Sequence, residues 1–341
     1  MSDRAKILII RFSAMGDVAM TAPVLEEFSE SYPQEEFLVV SRSAFQPFFN
    51  NIPTVQFLCF DPKGKHSGFF GLIKLFFELR TYKIKKVADL HSNLRSKILC
   101  LLFFLSGIQS VSIDKGRAEK KLLTRKRNKI LTPLKLTVSR YAEVFEKLGF
   151  PIKLANKLSS LHIQKPANEQ WIGISPFAQH LQKVYPLHKM EKVLLELAQK
   201  GFKLYIFGGT AEEAVIAEDW AAKHLNISSL VKKMTLTEEL EFIAKLDLML
   251  SMDSSGMHLA SLKNVPVISI WGATHPYAGF LGYGQSINDA VQLDLYCRPC
   301  SIYGNVPCYR GDFACMNNLP EQNVIDKVID KLRNHETAIV S

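Results

Sequence analysis

The sequence predicts an α/β protein of two doubly wound, Rossmann-like domains, each built on a parallel sheet. Three observations carry this reading. Short apolar, β-rich runs alternate with helical patterns twice over, which is how strand–helix–strand crossovers look in sequence. A polar stretch from Gln164 to Gln170, with Pro166 and Asn168, separates the two alternations. The 341 residues, 47% hydrophobic and 22% charged, are enough for two ordinary cores. In the first half, strands are expected at Lys6–Arg11, Phe37–Val40, Val55–Phe60, Val87–Leu90 and Val111–Ile113. Helices are expected near Val18–Glu30, Phe69–Arg80, Arg95–Ser106 and Ser139–Leu148. Strands recur at Trp171–Ser175, Lys203–Phe207, Ser229–Val231, Leu248–Ser251 and Val267–Trp271, and Glu321–Arg333 reads as a terminal helix. The chain therefore divides into residues 1–163, residues 171–320 and a C-terminal helix and tail, 321–341. No tandem repeat interrupts the pattern, so two domains facing a cleft are the economical architecture.

The formal net charge of +9 favours an anionic partner: nucleic acid, a phosphorylated glycolipid or an acidic membrane face. Only Ile7–Ile10 forms an apolar run before Arg11, and the longest such run, Ile98–Leu105, is too short to cross a bilayer. Neither a signal peptide nor a membrane span is expected, and the cytoplasm is the expected compartment.

The most informative stretch is Leu248–Pro276, LMLSMDSSGMHLASLKNVPVISIWGATHP. An apolar strand ends at Asp253, Ser254 and Ser255 supply a small polar turn, and Gly256 lets backbone approach a ligand closely. A helix then begins. Its first N–H groups lack intrahelical partners and its dipole is positive there, a combination that suits a diphosphate, although Asp and Ser also cap ordinary helices. The following strand ends in the loop Gly272–Pro276, at the same carboxyl edge where open α/β sheets bind ligands. The first strand leads into a second candidate site, ILIIRFSAMGDVAMTAP, where Gly16 permits a tight turn and Asp17 opens a helix. A carboxylate at a helix N-terminus stays ionised and can serve as a weak base, or simply as a cap. A nicotinamide fold wants three glycines after its first strand, and Gly16 stands alone between Arg11 and Pro23.

Four blocks together resemble the heptosyltransferases of glycosyltransferase family 9: SAMGDVAMTAPVL at Ser13–Leu25, DLHSNLRS at Asp89–Ser96, KVYP at Lys183–Pro186, and MDSSGMHLA followed by VPVISIWGATHP. The resemblance implies the GT-B architecture, with acceptor bound by the first domain and nucleotide sugar by the second. It further implies inverting, metal-independent transfer of heptose from ADP-heptose to the lipopolysaccharide inner core, with no cofactor. Asp17 becomes the general base and Lys183 the cation on the leaving diphosphate. Ser254, Ser255, Gly256 and Met257 would hold phosphate oxygens, with Asp253 on sugar hydroxyls or orienting Lys183, and His258 lining the donor site or filling the core. Ser175 and Gln179 would stand in for the hydroxyl residues family members often carry before the lysine. Gly209, Thr210 and Glu213 form a candidate wall for adenosine, and the alternative role for Glu212 or Glu213 is to favour the helix start. Ser13, Met15, Gly16, Asn93 and Arg95 fall on the acceptor side. Transfer of another nucleotide-linked sugar to a surface glycan, or noncatalytic nucleotide-sugar or glycolipid binding, remain alternatives.

Lys115–Lys129 carries eight Lys and Arg against Glu119 alone. Placed in the acceptor domain, this run, with Lys120 and Lys121, suits anionic groups of a glycolipid as well as a solvated surface. Nucleic acid is disfavoured because the run has no aromatic residues for stacking on bases. Phe69, Phe70, Phe76 and Phe77 fit buried core or peripheral contact with the inner membrane. Cys297, Cys300, Cys308 and Cys315 have a spacing that suits a structural zinc in a reducing compartment, with free thiols or a disulfide as alternatives.

Overall fold

The computed structural model describes residues 4–158 and 169–340, with side chains as far as Arg333. The described chain forms two compact units, residues 1–117 with 135–156, and residues 118–134 with 157–341. The predicted linker falls mostly outside the described residues. Glu169 and Gln170 lead directly into the second sheet.

The first unit holds a five-stranded parallel sheet of β1 (Lys6–Ile10), β2 (Glu36–Ser41), β3 (Val55–Cys59), β4 (Ile84–Asp89) and β5 (Gln109–Ser112), in the order β3-β2-β1-β4-β5. Its helices are α1 (Met15–Ala19), α2 (Thr21–Ser31), α3 (Gly68–Arg80), α4 (Leu94–Leu105), α5 (Arg117–Leu123), which leads into the second unit, and α6 (Thr137–Lys147). The single helix expected over Val18–Glu30 is broken at Met20. Pro23 has no N–H to return to the carbonyl of Ala19, so α2 restarts with its proline in the first turn. Every residue of β1 is buried, as a central strand covered on both faces requires.

The second unit holds a six-stranded parallel sheet of β6 (Trp171–Ser175), β7 (Lys203–Ile206), β8 (Ile227–Ser229), β9 (Leu248–Met252), β10 (Val267–Ile270) and β11 (Ala290–Val291), in the order β11-β10-β9-β6-β7-β8. The helices are α7 (Leu187–Gln199), α8 (Ala211–Ala221), α9 (Leu236–Ile243), α10 (Ser255–Leu262), α11 (Ala314–Asn317) and α12 (Glu321–Val340). The terminal helix is part of this unit. Val324, Ile325, Val328 and Leu332 pack into one core with α7 and the sheet.

In both units the strand order reverses once, between β1 and β4 and between β6 and β9. Crossovers leave in opposite directions from these neighbouring strands, which opens a crevice at their carboxyl ends.

The basic segment is a correction to the domain reading. Residues 118–134 belong to the second unit, not to the acceptor domain. Lys129 Nζ donates to the carbonyls of Cys297 (3.0 Å) and Pro299, the Leu134 N–H donates to the Tyr277 carbonyl (2.9 Å), and the Lys120 ammonium lies over the Phe280 ring. Four of its cations, Lys121, Arg125, Lys126 and Arg127, remain exposed.

Arg298 fixes the loop after β10. Buried to 3% exposure, it donates to the carbonyls of Gly272, Leu293 and Thr274 and to the Gln292 side chain. Arg298→Lys has too few donors in the wrong geometry and leaves buried carbonyls unsatisfied, so urea unfolding should show a loss of about 2–4 kcal/mol. An unchanged midpoint would mean that the loop is held elsewhere.

Candidate active site

The crevice of the first unit is organised by buried charge. Arg11, directly after β1, donates to the Leu90 carbonyl (2.6 Å) and forms an ion pair with Asp17. Asp17 Oδ2 also receives the Ala14 N–H (3.3 Å). The carbonyl of Asp17 accepts from the Tyr141 hydroxyl (3.1 Å) and from Thr21 (3.2 Å), so the turn of α1 is tied down from α6 and α2. The Asp17 side chain keeps about a quarter of its surface exposed while Arg11 keeps 8%.

Across the reversal, Asp89 at the end of β4 is fully buried and takes four donors. The N–H groups of His91 (3.0 Å) and Ser92 (2.8 Å) reach Oδ1, and the hydroxyls of Ser96 (2.9 Å) and Ser112 (2.9 Å) reach Oδ2. This carboxylate shapes the turn that follows β4, with Ser92 at φ +47°. Asn93 caps α4 by accepting the Ser96 N–H (2.9 Å), and Arg95 stands exposed on its first turn. Ser13, Met15 and Gly16 are partly exposed beside Asp17.

His91 Nδ1 accepts the Phe12 N–H (3.0 Å), which bridges the two strand ends and makes the ring neutral. Burial first, and then the Arg11 cation, lower its pKa to about 3. Lys115 is likewise held below its usual range, by burial and then by Arg11 and Arg117. Arg42 and Arg117 are exposed, so the cations around this crevice are Arg42, Lys115 and Arg117 rather than Lys120 and Lys121, which lie in the second unit.

In the second unit, Asp253 follows β9 and pairs with Lys183 Nζ at 2.9 Å, the two side chains being 6% and 16% exposed. This is the contact that the Lys183-orienting role requires of Asp253. Lys183 sits at the end of a 3-10 turn, Leu181–Lys183, its N–H donating to the His180 carbonyl (2.9 Å). Gly304, at φ +76°, leaves room for its stem, since a Cβ there would lie 2.4 Å from Lys183 Cγ. Ser254 is the N-cap of α10, but its hydroxyl is buried without a hydrogen-bond partner and its N–H already donates to the Met252 carbonyl (2.7 Å). That leaves the N–H groups of Ser255, Gly256 and Met257 for a ligand. Gly256 is required by packing: a Cβ would fall 2.2 Å from Ser175 Oγ. The side chains of Met257 and His258 are both buried, and Gln179 is exposed on the loop after β6.

Farther along the same carboxyl edge, a cavity of about 320 Å³ is lined by Phe207, Gly208, Gly209, Leu230, Lys232, Met234 and Glu239. Burial raises the Glu239 pKa to about 7. Glu213 does not line it. Its carboxylate accepts the N–H groups of Gly209 (2.7 Å) and Thr210 (3.0 Å), and Thr210 returns a bond to the Glu213 N–H, a complete capping box on α8.

The four clustered cysteines are free thiols, and among the described residues no group of three or more His, Cys, Asp or Glu is arranged to hold a metal ion. The sulfurs serve the loop instead. Cys300 Sγ faces the Ala273 carbonyl, Cys297 Sγ faces Arg310, and Cys315 is packed in the core, where burial pushes its thiol up to about 11.

Sequence patterns marked Asp17, Lys183 and the Asp253 turn. The block Asp89–Ser96 was marked without roles for Asp89 and His91, and Arg11, Tyr141, Gly304 and the Met234–Glu239 wall were missed, because an isolated Arg, Tyr or Gly has no signature until the fold supplies its neighbours.

The neutral His91 sets a pH dependence. With its folded pKa near 3 and an ordinary unfolded value of 6.5, the unfolded chain binds the extra proton between these limits, so stability is complete above pH 6.5 and falls on acidification. From pH 7 to 5 the loss from this group should be about 2 kcal/mol in urea unfolding, and His91→Asn, which retains an acceptor for Phe12, should remove it. Equal acid sensitivity in both proteins would refute this assignment.

A family model described as glycosyltransferase family 9 (heptosyltransferase) matches residues 72–306. Lipooligosaccharide heptosyltransferase 2 of Campylobacter jejuni subsp. jejuni serotype O:2 is 24% identical over 333 residues, 96% of this chain and 99% of that protein. Lipopolysaccharide heptosyltransferase 1 of Campylobacter coli is 25% identical over 353 residues, 97% and 100% of the two chains. Among solved structures, the family 9 glycosyl transferase from Veillonella parvula superposes with a TM-score of 0.75 at 18% identity, covering 98% of this chain and 99% of that one. The E. coli heptosyltransferase WaaC with ADP superposes with a TM-score of 0.69 at 19% identity, over 96% and 99%. These likenesses show the fold, the two parallel-sheet units of the GT-B type. Because the family model spans more than half of the sequence, the chain belongs to glycosyltransferase family 9 (heptosyltransferase).

Proposed function

We propose that the protein transfers heptose from ADP-heptose to a lipopolysaccharide or lipooligosaccharide inner-core acceptor, with inversion and without a catalytic metal. The names of its relatives supply the sugar and the glycan. The observation that carries the chemistry is the Lys183–Asp253 pair beside the N-terminus of α10, where the Ser254 hydroxyl is buried without a partner. Lys183 and the N–H groups of Ser255, Gly256 and Met257 offer a diphosphate fixed positive charge and oriented donors, which gain value as charge builds on the leaving oxygen. Adenosine would occupy the cavity between Phe207 and Met234, whose volume is at the small end of ligand sites.

On the acceptor side, a hydroxyl oxygen attacks the anomeric carbon, the bond from that carbon to the β-phosphate oxygen breaks, and ADP departs as the anion. The hydroxyl proton goes to Asp17. Oδ2 is engaged by Arg11 and the Ala14 N–H, so Oδ1 is the oxygen that receives it. Arg11 holds the carboxylate in place, and a carboxylate suffices as acceptor because the hydroxyl becomes strongly acidic as its oxygen bonds to carbon. Arg42, Lys115 and Arg117 would meet acidic groups of the glycolipid, with Asn93 and Arg95 farther along the same turn. Among the described residues, no helix is long and apolar enough to cross a membrane. The reading puts the enzyme in the cytoplasm, at the face of the membrane that carries its acceptor.

Asp17→Asn keeps size and hydrogen bonding but cannot take a proton, so single-turnover transfer should fall about 10²- to 10⁴-fold while ADP affinity stays near wild type. Turnover should survive chelation of divalent ions, and strict dependence on added Mg²⁺ would sink the metal-free mechanism. Lys183→Ala should weaken ADP binding and also slow transfer at saturating donor by about 10²-fold, because it acts on the leaving group. A rate unchanged at saturation would confine Lys183 to ground-state binding.

A further inference from the structure

Helices α3 and α4 pack side by side through the Phe76 and Phe103 rings, 5.0 Å apart and nearly edge to face. Their inner residues, Leu72, Leu75, Phe76, Leu79, Leu99 and Phe103, complete the core beneath the sheet. Their outer surface is also apolar. Phe69, Phe70 and Phe77 on α3, and Leu94, Leu101, Phe104 and Leu105 on α4, are 57–84% exposed. Scattered exposed apolar residues need no explanation, but seven large ones on two touching helices do. A helix apolar all round belongs in a core or against lipid.

The exposed charges on these helices have one sign. Lys74, Arg80, Arg95 and Lys97 are exposed, and Glu78 is the single acid of the two segments. Its carboxylate is already occupied by Lys65 (2.9 Å) and His66 (3.1 Å). A second copy of the chain would set this cationic face against itself, since a two-fold interface uses the same patch on both sides, and it offers no acids to pair. A leaflet of anionic phosphates supplies both the missing charge and an apolar phase for the Phe and Leu side chains.

We propose that the outer face of α3 and α4 docks the first unit onto an anionic lipid surface. This rests on the lipid-linked acceptor of the proposed function, and it has a reason in the chain: α4 begins three residues after His91, so the docking face starts at the edge of the acceptor crevice.

The test uses the full-length protein and vesicles of phosphatidylethanolamine with phosphatidylglycerol, compared with vesicles of phosphatidylcholine alone. Wild type should cosediment with the anionic vesicles and bind the neutral ones about tenfold more weakly. A triple variant, Phe70→Ser, Phe77→Ser and Phe104→Ser, should lose anionic-vesicle binding by about tenfold or more, with its melting temperature maintained because the three side chains are exposed. Lys74→Glu with Lys97→Glu should abolish the preference for anionic lipid. Transfer to a delipidated, water-soluble core acceptor is measured in parallel and should be unaffected in both variants. Vesicle binding without any transfer would leave docking intact and overturn the catalytic reading. Transfer without vesicle binding, or variants that bind like wild type, would overturn docking. So would a concentration-dependent dimer that the triple variant abolishes while vesicle binding is unchanged.

Discussion

Both sites depend on one topological constraint, the single reversal of strand order in each sheet. Where consecutive crossovers leave in the same direction, the loops at the carboxyl edge cover one another. Between β1 and β4, and between β6 and β9, they diverge, and the strand ends are left with free peptide groups and space. Arg11 and Asp17 follow β1, and Asp89 and His91 lie at the end of β4. Ser175 ends β6 and Asp253 follows β9. Arg11, Asp89, His91, Ser175 and Asp253 thus lie within two residues of the end of a strand whose backbone position is fixed by pairing on both sides, and Asp17 and Lys183 stand on the short helical turns that follow β1 and β6.

The two crevices solve the same electrostatic problem. A charge at the rim of a low-dielectric core is costly alone, so each has one buried or half-buried cation against one carboxylate: Arg11 with Asp17, Lys183 with Asp253. The pairs are not equivalent. Arginine has a planar fork, and Arg11 spends it on the Leu90 carbonyl and Asp17, which holds the carboxylate in one orientation. Lysine is a point charge with three donors, and Lys183 can keep Asp253 while turning another N–H to phosphate. The fixed pair stands at the proposed base and the adaptable one at the leaving group.

The division into two parallel α/β units was legible because strands buried on both faces leave compact apolar runs that Gly, Pro and polar turns delimit. Trp171–Ser175 matches the predicted strand residue for residue. Prediction failed where tertiary contacts overrule local signal. Lys115–Lys129 reads as a basic surface run of the first domain, yet the carbonyls of Cys297 and Pro299 and the rings of Phe280 and Tyr309 draw Lys120, Lys126 and Lys129 into the second unit. The cysteine spacing reads as a metal site, yet Cys300 faces the Ala273 carbonyl, Cys297 faces Arg310 and Cys315 is packed in the core. Glu213 closes a capping box with Thr210, which is the helix-start alternative that its local sequence already offered. For the basic run and the cysteines the residue type was read correctly and the partners, distant in sequence, were not.

That loop of cysteines has a function once the metal is set aside. Residues 297–315 carry Gly304, whose missing Cβ makes room for the Lys183 stem, and Arg298, which holds Gly272 and Thr274 after β10. The backbone N–H groups of Cys300 and Ser301 both reach the Ala273 carbonyl (3.0 and 3.2 Å), so the loop is tied to the sheet edge as well. Lys129 fastens it from the other side through Cys297 and Pro299. The proposed leaving-group cation therefore stands on a 3-10 turn too short to be rigid alone, held by a loop that is itself pinned by a buried guanidinium and a buttressing lysine. A lysine with four flexible bonds gains its precision from these surroundings, and much of the second unit's irregular chain is explained by that requirement.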